Sequence, residues 1–334
     1  ICQKCAGIRE KGRLPDIGDN IGLPSAQALG ERMSQGMLSA KHGGGQVTKG
    51  KDTRNEPSKA GFNYVNQLIQ SPTNFAGAST LSTRDGHVQA IDKAEQGGHY
   101  ITVDGEKYFV PHDQDVTVNI GDAIEKGDSM SNGTPNPFDI AEQKGIGEGR
   151  LYFMKALYDG FKNSGIRPNR RNVEVIARSL INHVQITGNE GHNGFLPDDI
   201  VSYDDFKRDY EPREGSTDLA PDRSLYRYLE KPALHYSIGT RITPRVIKTL
   251  KDNRVNSIHS HADEPIFKPH VVRAMENGMR DPNWMTRLGG SYLGKGFTEA
   301  VRRGRTADIH DTSFIPGLAK GTEFGKDLDT TGKY

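Results

Sequence analysis

Apolar residues recur at helical spacing in several stretches of the chain. Phe62, Val65, Leu68 and Ile69 would share one helical face within Gly61–Gln70. Two further stretches predict buried helical stripes, formed by Leu151, Met154, Leu157 and Phe161 and by Val173, Ile176, Ala177 and Leu180. A fourth helix is predicted for Ile242–Leu250, because Thr243-Pro244 is a typical helix start.

Alternation of apolar and polar residues predicts strands in Ala76–Gly133. The runs Tyr100–Val103 and Lys107–Val110 flank an Asp-Gly pair at 104–105, which is typical of a tight hairpin turn. The run Val116–Asp128 contains two Gly-Asp pairs and resembles a biotinyl- or lipoyl-type barrel hairpin. It lacks the Met-Lys-Met tip of a carrier domain. The prediction is a small β barrel or sandwich-hybrid module.

Composition limits the function classes only weakly. The chain has 334 residues, of which 34% are apolar and 26% charged, and its net charge is +1. This length suits two or three modest domains. Basic residues outnumber acidic ones in Ile1–Gly50 and Arg287–Lys326, which fits local contact with phosphates or a solvated charged face. The chain has no apolar run of ~18 residues and no signal-peptide pattern, so a soluble protein of a reducing compartment is expected.

Two sequence motifs could bind metal. Cys2 and Cys5, the only cysteines, form a C-x-x-C pair that is compatible with half a zinc site, a redox dithiol or two incidental thiols. His259, His261 and Asp263 form an H-x-H-x-D pattern that could hold zinc or manganese in a hydrolase. A polar loop is the simpler interpretation of that second motif.

The stretch Ile21–Gly45 combines helical spacing with a run of glycines. Gln35, Leu38 and His42 lie on one face of a helix, and Gly43, Gly44 and Gly45 follow directly. A polar amide, an apolar tip and an imidazole beside a glycine hinge suit a mobile lid that closes on a polar ligand.

This stretch resembles the trigger loop of the largest subunit, β′, of multisubunit DNA-dependent RNA polymerases. The family pattern is G-I-x-A-A-Q-S-I-G-E-P-x-T-Q-L-T-M-R-T-F-H-x-G-G. The residues in register are Gly22, Ala26, Gln27, Gly30, Glu31, Gln35, His42, Gly44 and Gly45. Arg32, Leu38, Ser39 and Lys41 depart from the pattern, which favours a divergent member such as one encoded by a phage or plasmid.

Two later blocks are similar to the same subunit. Pro137–Phe206 resembles its C-terminal clamp segment, and Trp284–Gly325 resembles its terminal switch region. The matching residues in these blocks are Asp139, Ile140, Gly145, Gly165, Val173, Glu174, Val175, Ile176, Arg178, Phe195, Leu196, Ser291, Thr298, Glu299 and Ala300.

The resemblance implies an α+β protein with a trigger-loop helical hairpin, a small β module and a helical clamp and switch region. The expected divisions are 1–75 for a half zinc motif and trigger loop, 76–136 for the β module, 137–206 for the clamp-type helices, 207–283 for a divergent insertion, and 284–334 for the switch. The implied reaction is template-directed nucleotidyl transfer from nucleoside triphosphates.

The resemblance also implies roles for individual residues. Leu38 would pack on the incoming base, Gln35 would meet the sugar, and His42 would approach the β-phosphate, with Gly30 and the three glycines as hinges. The candidates for nucleic-acid contact are Lys295, Arg302, Arg303 and Arg305. Cys2 and Cys5 would share structural zinc with two upstream cysteines.

The cofactors and partners implied by the resemblance lie largely outside this chain. Catalytic magnesium would be held elsewhere, because the family's N-A-D-F-D-G-D triad is absent from this sequence. The expected partners are the remaining β′ and β-like subunits, template DNA, the RNA–DNA hybrid and NTPs, in the cytoplasm or a phage host's cytoplasm, with no membrane and no activity alone. The alternatives are the metal-dependent hydrolase at His259, His261 and Asp263 and a non-catalytic scaffold related to β′.

Overall fold

The structure, a computed structural model, describes residues 3–8, 12–16, 19, 21–22, 24–31, 62–70, 75–188, 194–270, 272, 287, 291, 298–299 and 302–304. The chain divides into two compact units. The first consists of Ile1–Arg32, Pro168–Leu180 and Val272–Tyr334, and the second of Met33–Arg167 and Ile181–Val271. Helices and antiparallel sheets are both present, so the predicted α+β class is confirmed.

The helices are α1 (Gln3–Ala6), α2 (Phe62–Gln70), α3 (Pro137–Lys144), α4 (Ile146–Asn163), α5 (Arg170–Leu180), α6 (Tyr203–Asp209) and α7 (Pro244–Asp252), together with a 3₁₀ turn at Pro221–Ser224. The strands are β1 (Gly86–Lys93), β2 (His99–Val103), β3 (Glu106–Val110), β4 (Ala123–Ile124), β5 (His183–Ile186), β6 (Ile200–Ser202), β7 (Thr217–Leu219), β8 (Tyr228–Leu229), β9 (Ile258–His261) and β10 (Phe267–His270). No helix within these residues is long and apolar enough to span a bilayer.

The first unit contains α1, α5 and a helical stretch at 24–31. The amide of Gln3 donates to the carbonyl of Pro15 at 2.7 Å, which closes the loop after α1. The hydroxyl of Ser25 donates to the carbonyl of Ile21 at 2.7 Å and lies 3.3 Å from the amide oxygen of Asn172 in α5. Side-chain hydrogen bonds therefore tie the loop and the helical stretch to the short helices.

The first sheet of the second unit has strand order β3-β2-β1-β4, with every neighbouring pair antiparallel. Inward-facing residues form its apolar core: Val88, Ile101, Val103, Tyr108, Val110, Ile124 and Met130. The β2–β3 hairpin turns at Asp104 and Gly105, which have φ of 43° and 86°. Two successive positive φ values are typical of the predicted Asp-Gly hairpin turn.

The two Gly-Asp pairs after β3 form equivalent turns. Gly121 and Gly127 have φ of 93° and 81°, a conformation that glycine adopts without steric cost. Asp122 accepts the backbone N–H of Asn119 at 2.8 Å, and Asp128 accepts that of Glu125 at 3.0 Å. Each aspartate therefore closes its own turn, as the sequence pattern predicts.

Two three-stranded antiparallel sheets complete the second unit. The second sheet has the order β10-β5-β6 and the third has the order β7-β9-β8. Phe206 of α6 packs against Phe267 of β10, with ring centroids 4.5 Å apart. On the third sheet, Leu229 and Ile258 join Val246 and Leu250 of α7 in one apolar cluster.

All four helix predictions are confirmed, and two of the predicted buried stripes need correction. α2 and α7 form where the apolar spacing predicted them, and the hydroxyl of Thr243 accepts the N–H of Val246 at the start of α7. The buried stripes of α4 and α5 differ from the predicted ones. In α4, Leu151 is exposed, and Met154 is only partly buried. The buried face instead contains Phe153, Ala156, Leu157, Gly160 and Phe161. In α5, Val175 is buried and Ile176 only partly so. The cause is the same in both helices: the face that packs is set by neighbouring elements, which spacing alone does not specify.

Candidate functional site

Most of the predicted lid lies outside the described residues. This applies to Gln35, Leu38 and His42 and to the hinge glycines at 43–45. Gly30 is described and is the next-to-last residue of the helical stretch 24–31, on its exposed side. Nothing lies within 4 Å of the position that a Cβ would occupy there. Gly30 is therefore not required by packing within the described residues.

The predicted return arm of the lid is α2, and it is held firmly against α4. Tyr64, Val65 and Leu68 are buried. A Cβ added at Gly160 of α4 would lie 2.9 Å from the Tyr64 ring, so the two helices approach closely at this glycine. Burial raises the pKa of Tyr64 to about 12, and the negative charge of Asp159 adds to the rise. The end of the predicted lid segment is thus fixed to a buried helix.

The predicted basic contacts are only partly described. Lys295 and Arg305 lie outside the described residues. Arg302 and Arg303 are exposed, and both form ion pairs with Glu299, at 2.9 and 2.5 Å. The carboxylate of Glu299 therefore offsets part of the positive charge that these two arginines would present to a phosphate.

The predicted zinc ligands are at the edge of the described part. Cys2 lies outside it, and Cys5 belongs to α1, although its side chain is not described. Among the described residues, no group of three or more histidine, cysteine, aspartate and glutamate side chains could hold a metal ion.

The prediction of a metal site at the H-x-H-x-D pattern is wrong. His259 uses one ring nitrogen on Asp218, at 2.8 Å, and the other on Ser216, at 2.9 Å. His261 is likewise committed at both nitrogens, to the carbonyl of Glu214 and to the N–H of Asp263. Both imidazoles lie on one face of β9. They form hydrogen bonds to β7 and to the adjoining turns, and they do not gather ligands around a cation.

A polar cleft of about 290 Å³ is lined by Glu125, by Lys144 of α3 and by Arg245 of α7. Asp128 is close to two cations: it accepts from Lys144 at 2.6 Å and from Arg245 at 2.7 Å. Burial by itself raises the pKa of Asp128. The hydrogen bonds from Lys144 and from the Glu125 N–H outweigh that effect and hold the pKa below its ordinary value. These ion pairs join the turn at Asp128 to α3 and α7. They also offset the positive charge that Lys144 and Arg245 would otherwise present to a ligand.

A second charged cluster is buried beside the third sheet, and the sequence analysis did not predict it. The side chains of Arg213 and Glu230 are 3% and 1% exposed and meet at 2.8 Å. Tyr210 donates its hydroxyl to Glu230 at 2.6 Å. Burial raises the pKa of Glu230, but the hydrogen bonds from Arg213 and Tyr210 outweigh it and hold the pKa below its ordinary value. The pair joins residues 17 positions apart in a segment without strong periodicity, so no local pattern indicates it.

The chain is similar to one subunit of DNA-directed RNA polymerase from several bacteria. The β′ subunit of Finegoldia magna is 27% identical over 231 residues, which cover 67% of this chain and 18% of that protein. The β′ subunit of Desulforudis audaxviator is 28% identical over 243 residues, covering 70% of the chain and 20% of that protein. The chain is a divergent relative of part of the β′ subunit. No protein-family model matches it.

The longest of these matches extends across most of the β′-like chain. The β′ subunit of Thermosipho africanus is 23% identical over 288 residues, which cover 84% of the chain and 16% of that protein. Even if the uncovered sixth of the chain lay wholly at one end, the strands from Gly86 to His270 would fall inside the match. The chain spans about a fifth of the length of the curated relatives it matches.

Proposed function

We propose that this chain is part of the catalytic machinery of a DNA-directed RNA polymerase and contributes to template-directed nucleotidyl transfer. The observation that carries the proposal is its similarity to β′ subunits over 62–84% of its length. The chain would act with the remaining β′ and β-like subunits on template DNA, the RNA–DNA hybrid and NTPs. Because it has no Asp triad of its own, it would not synthesise RNA alone.

We propose that this chain supplies the trigger loop, which closes on the incoming nucleotide. In nucleotidyl transfer an RNA 3′ hydroxyl attacks the α-phosphate of the incoming nucleotide, and pyrophosphate leaves. Catalysis of such a step depends mainly on positioning and on stabilising charge. Gln35 would contact the sugar, Leu38 would pack on the base, and His42 would stabilise the leaving pyrophosphate by charge or by donating a proton. The packing of α2 on α4 supports this, because a lid needs a fixed support at its end.

The remaining segments are proposed to serve the clamp and switch. Arg302 and Arg303 are exposed and could reach phosphates, with Lys295 and Arg305 as further candidates. Cys2 and Cys5 supply two thiolates, half of the four ligands that structural zinc takes, so they fit a zinc site only if two upstream cysteines complete it. Magnesium, bound by residues outside this chain, would supply charge stabilisation at the reacting phosphate.

The decisive experiment is single-nucleotide extension on a preassembled RNA–DNA scaffold with the fully assembled enzyme. His42→Ala should slow nucleotide addition on the order of 10²-fold while DNA binding stays intact, because a contact made to the developing charge is lost. Lys51→Ala is the control, because Lys51 follows the hinge glycines in the sequence and is assigned no contact with the nucleotide. If His42→Gln retains near-full activity, positioning matters more than proton donation.

A non-catalytic scaffold related to β′ is the second candidate. Ser39 and Lys41 stand where the family pattern has arginine and phenylalanine, and these departures favour a lid without the family's chemistry. This candidate predicts that the assembled enzyme with His42→Ala extends RNA as fast as the parent enzyme. That result would remove the trigger-loop role while leaving the relation to β′ in place.

A further inference from the structure

A tight turn just before β7 presents a serine to a histidine. The N–H of Ser216 donates to the carbonyl of Arg213 at 3.1 Å, and Gly215 has φ of 84°. A positive φ at the third position of a four-residue turn is the geometry that glycine favours. Ser216 therefore occupies a fixed place at the end of the turn, directly before the strand begins.

The turn is anchored by the buried ion pair. The guanidinium of Arg213 donates to Glu230 at 2.8 Å and to the carbonyls of Glu264 and Asp263 at 2.7 and 2.9 Å. The backbone N–H of Arg213 donates to Glu230 as well, at 3.1 Å. A residue held at both its side chain and its backbone cannot shift easily, so the first residue of the turn is rigid. Functional side chains are most precise when such surroundings hold them.

His259 lies between Ser216 and Asp218. Its Nε2 is 2.9 Å from the hydroxyl of Ser216, and its Nδ1 is 2.8 Å from a carboxylate oxygen of Asp218. The pairing of β7 with β9 places Asp218 directly opposite His259, so the contact is built into the sheet register. A hydroxyl, an imidazole and a carboxylate in this order, each within hydrogen-bond reach, are the arrangement that activates a serine nucleophile.

The geometry points to Ser216 as a base-activated nucleophile that accepts an acyl group from an activated ester. The hydroxyl oxygen attacks the carbonyl carbon, and the bond from that carbon to the leaving oxygen breaks. The hydroxyl proton passes to Nε2 of His259 and from there to the leaving oxygen. Asp218 positions the imidazole and offsets its transient positive charge. This site is independent of the proposed polymerase function.

Two features determine how reactive the serine is. The carbonyl of Arg213, 2.6 Å from the Ser216 hydroxyl, competes with His259 for its proton and lowers the reactivity. The Asp218 side chain is 71% exposed, so its effect on the imidazole is screened by water. Slow acylation at a single serine is the expected outcome.

The test is to incubate the full chain with p-nitrophenyl acetate, following p-nitrophenolate release and locating the acetyl group by peptide mass spectrometry. The parent chain should be acetylated at Ser216. Ser216→Ala should lose that acetylation, and His259→Gln should slow it on the order of 10²-fold, the usual contribution of a general base. Asp218→Asn should slow it less, because that carboxylate is exposed.

Ser164→Ala is the matched control. Ser164 is also half-buried, and its hydroxyl donates to the carbonyl of Gly160 at 2.7 Å, so its replacement should leave acetylation at Ser216 unchanged. Circular dichroism and a urea midpoint for each variant separate lost chemistry from lost folding. Acetylation of Ser216 that proceeds equally fast in a folded His259→Gln chain would overturn the assignment, as would a parent chain that is not acetylated at Ser216.

Discussion

The first and third sheets of the second unit are stabilised by different kinds of interaction. The first sheet packs an apolar core that includes Ile101 and Val103, and its loops close through turns whose own aspartates accept nearby backbone N–H groups. The third sheet has only short strands, and its preceding turn is fixed by the buried pair of Arg213 and Glu230. Local hydrogen bonds close the Gly-Asp turns of the first region, whereas the turn before the third sheet is fixed by an ion pair between residues 17 positions apart.

The comparison shows what makes a region recognisable in a sequence. A turn that satisfies its own backbone groups needs a fixed local pattern, such as the repeated Gly-Asp pairs. A buried carboxylate can pair with a cation that is distant in the sequence. Such a pair therefore requires no fixed spacing of residues that a sequence pattern could reveal. The segment 207–283, which the sequence analysis predicted to be a divergent insertion, contains the turn that depends on this ion pair.

The largest expected effect comes from breaking that pair. Glu230→Ala leaves Arg213 buried without its partner, and we expect a loss of about 3–5 kcal/mol in the free energy of unfolding, measured by urea denaturation. Glu106→Ala is the control, because it breaks the half-exposed pair with Arg84 and should cost less than about 1 kcal/mol. Equal losses in the two variants would show that the buried pair does not anchor the third sheet.

A smaller effect is expected for the carboxylate of the first region. Asp128→Asn removes the charge that Lys144 and Arg245 contact, and we expect a loss of roughly 2 kcal/mol at neutral pH. The folded-state pKa of Asp128 lies below its unfolded value, near 3.9. The ionised group therefore stabilises the fold fully above that value and loses its effect as the pH falls through the folded-state pKa. The stability gap between parent and variant should narrow in acid, and a gap independent of pH would contradict this.

The smallest expected effect is a difference in stability cost between alanine substitutions in the two Gly-Asp turns. Gly121→Ala meets nothing within 4 Å, so only its positive φ opposes the change, and we expect a cost of about 1 kcal/mol. Gly127→Ala has the same backbone strain, and its Cβ would also lie 2.9 Å from the Gln143 side chain. Its cost should be roughly 1 kcal/mol greater, measured by the same urea denaturation. Identical costs would mean that the packing of α3 on this turn is loose.

The sequence alone determined the elements whose cause is local. The Asp-Gly hairpin, the paired Gly-Asp turns, the capped start of α7 and the position of α2 in the chain follow from backbone preferences and apolar spacing within a few residues. The order of family-like residues also indicated the relation to β′, although the chain is only 23–28% identical to those proteins.

Tertiary structure decided which of several faces became buried and which polar groups met. Spacing placed Leu151 and Leu157 on one stripe of α4, yet Leu151 is 41% exposed, because neighbouring elements choose the face that packs. His259 and His261 suggested a metal motif, but three of their four hydrogen-bond partners lie in β7 or in the turn before it, 41 to 47 positions away in the chain. A side chain's chemistry depends on what surrounds it in three dimensions, and contacts between distant residues leave no periodic trace in the sequence.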